Sequence, residues 1–239
     1  MFFCENDPID IRSNIYGKSG FSVIENFIPK DKVESIRNNW NQDISFYFSD
    51  FIKNSDVTTG VPKYLYNRPT KDDYAYCTHV WNKPVDELLH EYSFKIQMMR
   101  NILEGNPLYY GLHESTGKAL QYRVCRTLSN SIVVKKHADF FEEYRRDPTG
   151  SHSFDPSRIG ATLFLSDYGT DYQDGGFKLW SDTNDSYVLF GRDVNVSSGD
   201  LVFWRYSLSH EVSGVTPIHH NNGFLRVIYP LFDVSYKET

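Results

Sequence analysis

The chain is poor in cysteine, with Cys4, Cys77 and Cys125 the three present in 239 residues. An odd, widely spaced set does not make a disulfide framework and suits a reducing compartment. There is no basic surplus either: 25 Lys and Arg face 31 Asp and Glu, a net charge of -6. A dedicated nucleic-acid binder would normally carry a basic face, so no nucleic-acid partner is expected. Long apolar runs are missing, and nothing approaches the roughly 18 residues of a membrane span. The opening MFFCENDPID has neither the basic nor the apolar region of a secretory signal. These absences lead to the expectation of a soluble, cytoplasmic protein with no membrane partner. No repeat, low-complexity tract or Pro/Gly/Ser linker divides the chain. One domain over 1–239 is expected, with 1–117 as helical and irregular support and 118–239 as the core.

What the chain does have is aromatic content, 16%, with 17 Tyr and 17 Phe. Aromatics favour pleated, half-buried surfaces. GFSVIENFI (Gly20 to Ile28) reads as a strand, and Pro29 opens a helix in which Val33, Ile36 and Trp40 recur at helical spacing. The stretch from about Asn54 to Lys83 reads as irregular. A second helix is expected from about Pro84 to Glu104, because Val85, Leu88, Leu89, Tyr92, Ile96, Met99 and Leu103 keep the period and Gly105 follows as a natural terminator. From Lys118 the texture changes to short β-rich runs between turn signals: ALQYRVCRT, SIVVKKHAD, GATLFLSDY, GGFKLW, YVLFG, DLVFW, HEVSGV and FLRVIYPLF. This pattern predicts an α+β, mainly β protein. Its core would be a double-stranded β-helix, or jelly roll, with N-terminal helices packed on one face.

His137-Ala138-Asp139 carries the chemistry. Residues i and i+2 of a strand face the same side, so this His and Asp could grip one metal. With 8 His and 31 acidic residues, chance alone supplies such a triplet, and its weight comes from context. His210 follows 71 positions after Asp139, beyond a Gly199-Asp200 turn and the Leu201 to Trp204 strand. Two His and one carboxylate hold one face of an octahedral Fe(II) and leave positions open for a co-substrate and dioxygen. Such a site keeps a net charge of about +1 and attracts an anionic chelator. Arg226, in GFLRVIYPLF, could hold a carboxylate through two parallel hydrogen bonds, which Lys cannot match.

The ordered set from Ala119 to Phe232, about half the chain, is ALQYRVCRT leading to HAD, then RIGATLFLSD, QDGGFKLW, SSGDLVFW, HEVSGV and LRVIYPLF. It resembles the Fe(II)/2-oxoglutarate-dependent oxygenases, the prolyl-hydroxylase-like branch most of all. The resemblance implies His137, Asp139 and His210 as iron ligands and catalytic centre. It implies Arg226 for the distal carboxylate of 2-oxoglutarate, with O2 as co-substrate. The implied reaction couples decarboxylation of 2-oxoglutarate to succinate with hydroxylation of an unactivated C–H bond. The expected substrate is a small molecule, an amino acid or natural-product intermediate. Alternatives are a peptidyl or protein prolyl hydroxylase, or a non-catalytic cupin-like metal- or ligand-binding protein.

Departures from the family pattern leave several assignments open. Fifteen residues separate His210 from Arg226, including His219 and His220, which makes either a rival distal ligand. PIHHNNG reads as a lengthened hairpin. Thr127 stands where many relatives have a Tyr. The inward face of its strand is either Gln121, Arg123, Cys125 and Thr127 or Tyr122, Val124 and Arg126, since a one-residue slip exchanges them. Family parity favours the first set, so Gln121 and Thr127 are candidate cofactor contacts, with Thr162 and Phe164 as walls. Lys178 either points to the cofactor or faces solvent. The long polar loop Phe140 to Gly160 offers Arg145, Arg146, His152 and Arg158 to a substrate. Arg123, and Tyr64 and Arg68 in the Tyr-rich stretch, are further substrate candidates.

Overall fold

The computed structural model describes residues 8–41, 66–67, 74–81, 86–116, 118–128, 134–138, 158–219 and 223–233. Three helices, α1 (Pro8–Tyr16), α2 (Lys30–Asn41) and α3 (Glu87–Glu104), occur among these residues, interleaved with β1 (Phe21–Ile24), β2 (Tyr66–Asn67) and β3 (Tyr74–His79). The strands that follow are β4 (Lys118–Thr127), β5 (Val134–His137), β6 (Ile159–Phe164), β7 (Tyr172–Gln173), β8 (Gly176–Trp180) and β9 (Tyr187–Leu189). The last are β10 (Leu201–Arg205), β11 (His210–Ser213), β12 (Thr216–Pro217), β13 (Phe224–Ile228) and β14 (Leu231–Asp233). The large sheet runs β1-β10-β6-β13-β4-β3-β2, with β14 also on β4; the small one runs β5-β11-β8-β9. All their pairings are antiparallel.

Alternation along the strands separates two cores. Leu201 and Phe203 of β10, Ala161 and Leu163 of β6, Leu225 and Val227 of β13, and Tyr122 and Val124 of β4 join Ile15, Ile36, Trp40, Leu89, Ile96 and Met99 in the helix-side core. Val202, Trp204, Phe164 and Phe224 face the other way and meet Phe177, Leu179 and Val212 of the small sheet. The central strands are therefore buried on both faces. That explains why β6, β10 and β13 read as nearly continuous apolar runs.

Helix α3 starts later than its apolar period suggests. Asp86 caps it, accepting from Leu89 N at 2.9 Å. The other carboxylate oxygen takes Asn39 Nδ2 at 3.1 Å, which ties α3 to α2. Gly105, at φ 74°, closes it. Arg100, on this helix, is fully buried. Its Nη1 donates to Tyr229 O at 2.5 Å and its Nε to Gln97 Oε1 at 3.0 Å. Burial, reinforced by Arg158, lowers its pKa to about 10, so it stays charged at neutral pH and needs those acceptors.

Several expectations are corrected here. The Gly20 to Ile28 strand ends at Ile24, because Asn26, at φ 51°, turns the chain and gives its N–H to Asp200 Oδ1 at 2.8 Å. The stretch read as irregular contains β3, which pairs with β4 from Tyr74↔Arg126 to His79↔Gln121. Helix α1 and the short β7–β12 pair were not expected. The FLRVIYPLF run is two strands, divided at Tyr229-Pro230. No helix among the described residues is long and apolar enough to cross a membrane.

Candidate active site

His137 ends β5 and His210 begins β11, and the two are direct register partners. Their ring centroids are 4.3 Å apart. Simple alternation would not bring both rings inward. Between the pairs His210↔His137 and Val212↔Val134 the register slips by one residue. Lys135 and Lys136 thus oppose Glu211 alone. This β-bulge lets Val134 and His137 share the inner face, and re-aiming a side chain is a common use of bulges. Lys136 is left outside, over the Trp180 ring at 3.6 Å and on Asp185 Oδ1 at 2.7 Å.

Each imidazole is oriented by a carbonyl. His137 Nδ1 lies 2.7 Å from Lys135 O, in the bulge itself, and His210 Nδ1 lies 3.3 Å from Leu208 O. A carbonyl only accepts, so in the neutral rings Nδ1 carries the proton and Nε2 the lone pair. That is the tautomer a metal needs, with the outer partner fixing the ring. Two such rings at this spacing fit a shared divalent ion. Asp139 lies outside the described residues, and among those residues no group of three metal-binding side chains gathers.

His210 is buried, at 8% exposure. Trp204 packs on it at 4.7 Å and Phe177 at 6.2 Å. The indole Nε1 donates to Thr162 Oγ1 at 3.3 Å. Its ring lies across Gly160, its cross-strand partner; a Cβ there would be 2.3 Å from Trp204 Cε2. Gly160→Ala must push the indole towards His210. A destabilisation of about 1–3 kcal/mol is expected, as for overpacked cores, seen as a lower Tm; an unchanged Tm would contradict this packing.

Arg226 comes from the opposing sheet. It is 6% exposed, and its neighbours across the ladder are Cys125 of β4 and Phe164 of β6. Its Nη1 donates to Thr127 Oγ1 at 2.9 Å, and Cζ stands 4.7 Å over the Phe224 ring. Because Tyr122 and Val124 belong to the helix-side core, Gln121, Arg123, Cys125 and Thr127 line the inter-sheet face of β4. Gln121 and Thr127 are buried there, with Arg123 Nη2 3.4 Å from Gln121 Oε1. The structure thus brings His137, His210, Arg226, Thr127, Gln121, Thr162 and Arg123 to the space between the sheets.

Two other candidates lie elsewhere. Lys178 does not join the site: Phe177 and Leu179 take the inner face of β8, and Lys178 pairs outside with Glu211 at 2.7 Å. Arg158 precedes β6 and faces Glu104 of α3 at 3.6 Å, beside the backbone bond from Ile159 N to the same carboxylate. His219 is exposed. Tyr64, Arg68, Arg145, Arg146, His152 and His220 fall outside the described residues. Sequence reasoning missed the bulge and the part Trp204 plays. Trp204 had one legible signal, its place on the strand leading to His210.

No protein-family model and no curated protein sequence matches this chain. Solved structures do resemble it. The non-heme alpha ketoglutarate dependent carbocyclase SnoK from nogalamycin biosynthesis superposes with TM-score 0.56 and 14% identity, over 97% of this chain and 86% of that one. HygX from Streptomyces hygroscopicus, with nickel, 2-oxoglutarate and hygromycin B bound, gives TM-score 0.52 and 13% identity over 94% and 86%. An oxidoreductase of the 2OG-Fe(II) oxygenase family from Burkholderia pseudomallei gives 0.52 and 11% over 96% and 91%. At such identities the likeness is one of fold: antiparallel sheets with helices, arranged as in these oxygenases.

Proposed function

We propose that the chain is an Fe(II)- and 2-oxoglutarate-dependent oxygenase of small molecules, built on a double-stranded β-helix core. The observation that carries this reading is the pairing, across one inter-sheet space, of two carbonyl-oriented histidines with a buried arginine. Trp204, against His210, reaches Thr162, while Arg226 is level with Phe164, two residues on. Two strand residues span about 7 Å, the scale of a five-carbon dicarboxylate anchored at both ends. A cupin-like binding protein has no need of that arginine.

In this reading His137, His210 and Asp139 hold iron. Bound there with 2-oxoglutarate, it supplies dioxygen activation and C–H cleavage, with succinate and CO2 as co-products. Arg226 and Thr127 orient the distal carboxylate, and Gln121 and Thr162 are its candidate neighbours. Trp204, Phe177 and Phe164 exclude water. Arg123, on the same face, is the candidate contact for substrate, joined by Tyr64, Arg68 and Arg145 as proposals from sequence. Hydroxylation is the default outcome, in the manner of the prolyl-hydroxylase-like branch. SnoK, of similar fold, is a carbocyclase, so substrate placement decides the product.

The test is succinate formation. Slow substrate-independent release is expected with Fe(II), 2-oxoglutarate and O2, accelerated by the small molecule, whose product gains one oxygen atom. The H137A variant should lose even the basal rate. Equal basal rates in both proteins would refute the proposal.

A further inference from the structure

Arg226 is not the only arginine on its face of the large sheet. Arg123 of β4 lies on the same face, one rung away: Arg226 is flanked by Cys125 and Phe164, whereas Ile228 is flanked by Arg123 and Thr162. The Arg123 side chain turns away from Arg226, since its Nη2 stands 3.4 Å from Gln121 Oε1, two residues towards the other end of the face. That end is the histidine end. Gln121 gives its N–H to Pro230 O at 3.1 Å, which sets it level with the Gly160↔Trp204 pair. Trp204 donates to Thr162 and packs on His210.

Three kinds of side chain thus follow one another across adjacent strands: the Thr162 hydroxyl on β6, Ile228 on β13 and the Arg123 cation on β4. Ile228 is the one residue of β13 that is only half-buried; Phe224 to Val227 are buried. Arg123 is half-buried too, beside the buried Gln121. Neighbouring strands lie about 4.8 Å apart, so the arginine strand runs about 10 Å from the threonine strand. The rung offers an apolar floor with the histidines towards one end and a planar fork for an oxyanion at the other.

We propose that Arg123, steadied by Gln121, anchors the main substrate, an anionic small molecule. Its carboxylate or phosphate rests on Arg123, and its carbon body lies over Ile228 with the reacting C–H bond at the histidine end. This rests on the oxygenase reading above and divides the work of two arginines: Arg226 holds the oxo acid, and Arg123 holds the molecule to be oxidised.

The probes are acetate and inorganic phosphate, the two oxyanions in simple form. The protein is loaded with Mn(II) and saturating 2-oxoglutarate, which occupies Arg226. Paramagnetic relaxation of the acetate protons and of the phosphate phosphorus then reports an anion held near the metal. Faster relaxation of at least one probe is expected, and the one affected identifies the group the substrate carries. Arg123→Met should weaken that probe at least about tenfold, the scale of hydrogen bonds to a charged group, and bind 2-oxoglutarate as wild type does. Arg123→Lys keeps the charge without the fork and carries the same test if the Met variant does not fold: weaker probe binding with 2-oxoglutarate unaffected. Relaxation unchanged by either anion in wild type overturns the proposal. An effect that persists undiminished in the variants places the anion on the metal itself and overturns it too. Weakened 2-oxoglutarate binding in the variants assigns Arg123 to the oxo acid instead, with the same consequence. A wild type that binds no 2-oxoglutarate refutes the oxygenase reading rather than the Arg123 contact.

Discussion

Arg226→Met weakens 2-oxoglutarate binding by at least about 100-fold. On the proposed function two parallel charge-assisted bonds to the distal carboxylate would be lost, each worth about 1.5–3 kcal/mol. The site cannot readily recruit water in their place, because Arg226 is 6% exposed, with Phe224 and Thr127 against its guanidinium. The carboxylate would then be buried without a cation, which costs more than the missing contact. Arg226→Lys keeps the charge but not the planar fork, so its affinity falls between wild type and Met. Calorimetric titration of the Ni(II)-loaded protein with 2-oxoglutarate measures all three. Binding by the Met variant within a few-fold of wild type would show that Arg226 is an ordinary buried arginine.

The second large effect belongs to His210→Ala. Its ring is set by Leu208 O on one side and by Trp204 on the other, so no neighbouring side chain replaces it. On the proposed function His210 is one of three ligands, and its loss should leave a site that holds divalent metal at least about 100-fold more weakly, beyond the 10–100-fold cost of losing an outer partner. Co(II) titration followed by visible absorption reads this directly. His219 is the control: it is exposed, and His219→Ala should bind Co(II) as wild type does. The reverse result, loss with His219 and none with His210, would move the distal ligand to the hairpin.

The β-rich half was legible because turn residues punctuate short runs, and β5, β8, β10 and β11 fall where SIVVKKHAD, GGFKLW, DLVFW and HEVSGV place strands. Helix α3 was legible from its apolar period and Gly105, and only its capped start was misjudged, since Asp86 acts through one side-chain bond. The face of β4 was decided by tertiary packing: Tyr122 and Val124 serve the helices, so Thr127 meets Arg226. Period-two reasoning cannot see a bulge, and the position of His137 depends on one. Lys178 lay beyond sequence reasoning for a related cause. Its strand alternates cleanly, but which half faces in depends on the neighbouring strand, where Glu211 waits outside to pair with it. Strand β3 was hidden by its setting among turn-rich residues, and it forms because β4 offers an open edge to pair with.

The measurement that bears most directly on the central claim is an anaerobic titration of the apoprotein with Fe(II) and then 2-oxoglutarate, following the visible charge-transfer band of the chelate. A band that appears in wild type, disappears in His137→Ala and requires far more 2-oxoglutarate in Arg226→Met is the predicted result. Folded protein that takes up iron yet shows no band at saturating 2-oxoglutarate would contradict it, and would leave the two histidines and the arginine as parts of a metal- or ligand-binding scaffold without oxygen chemistry.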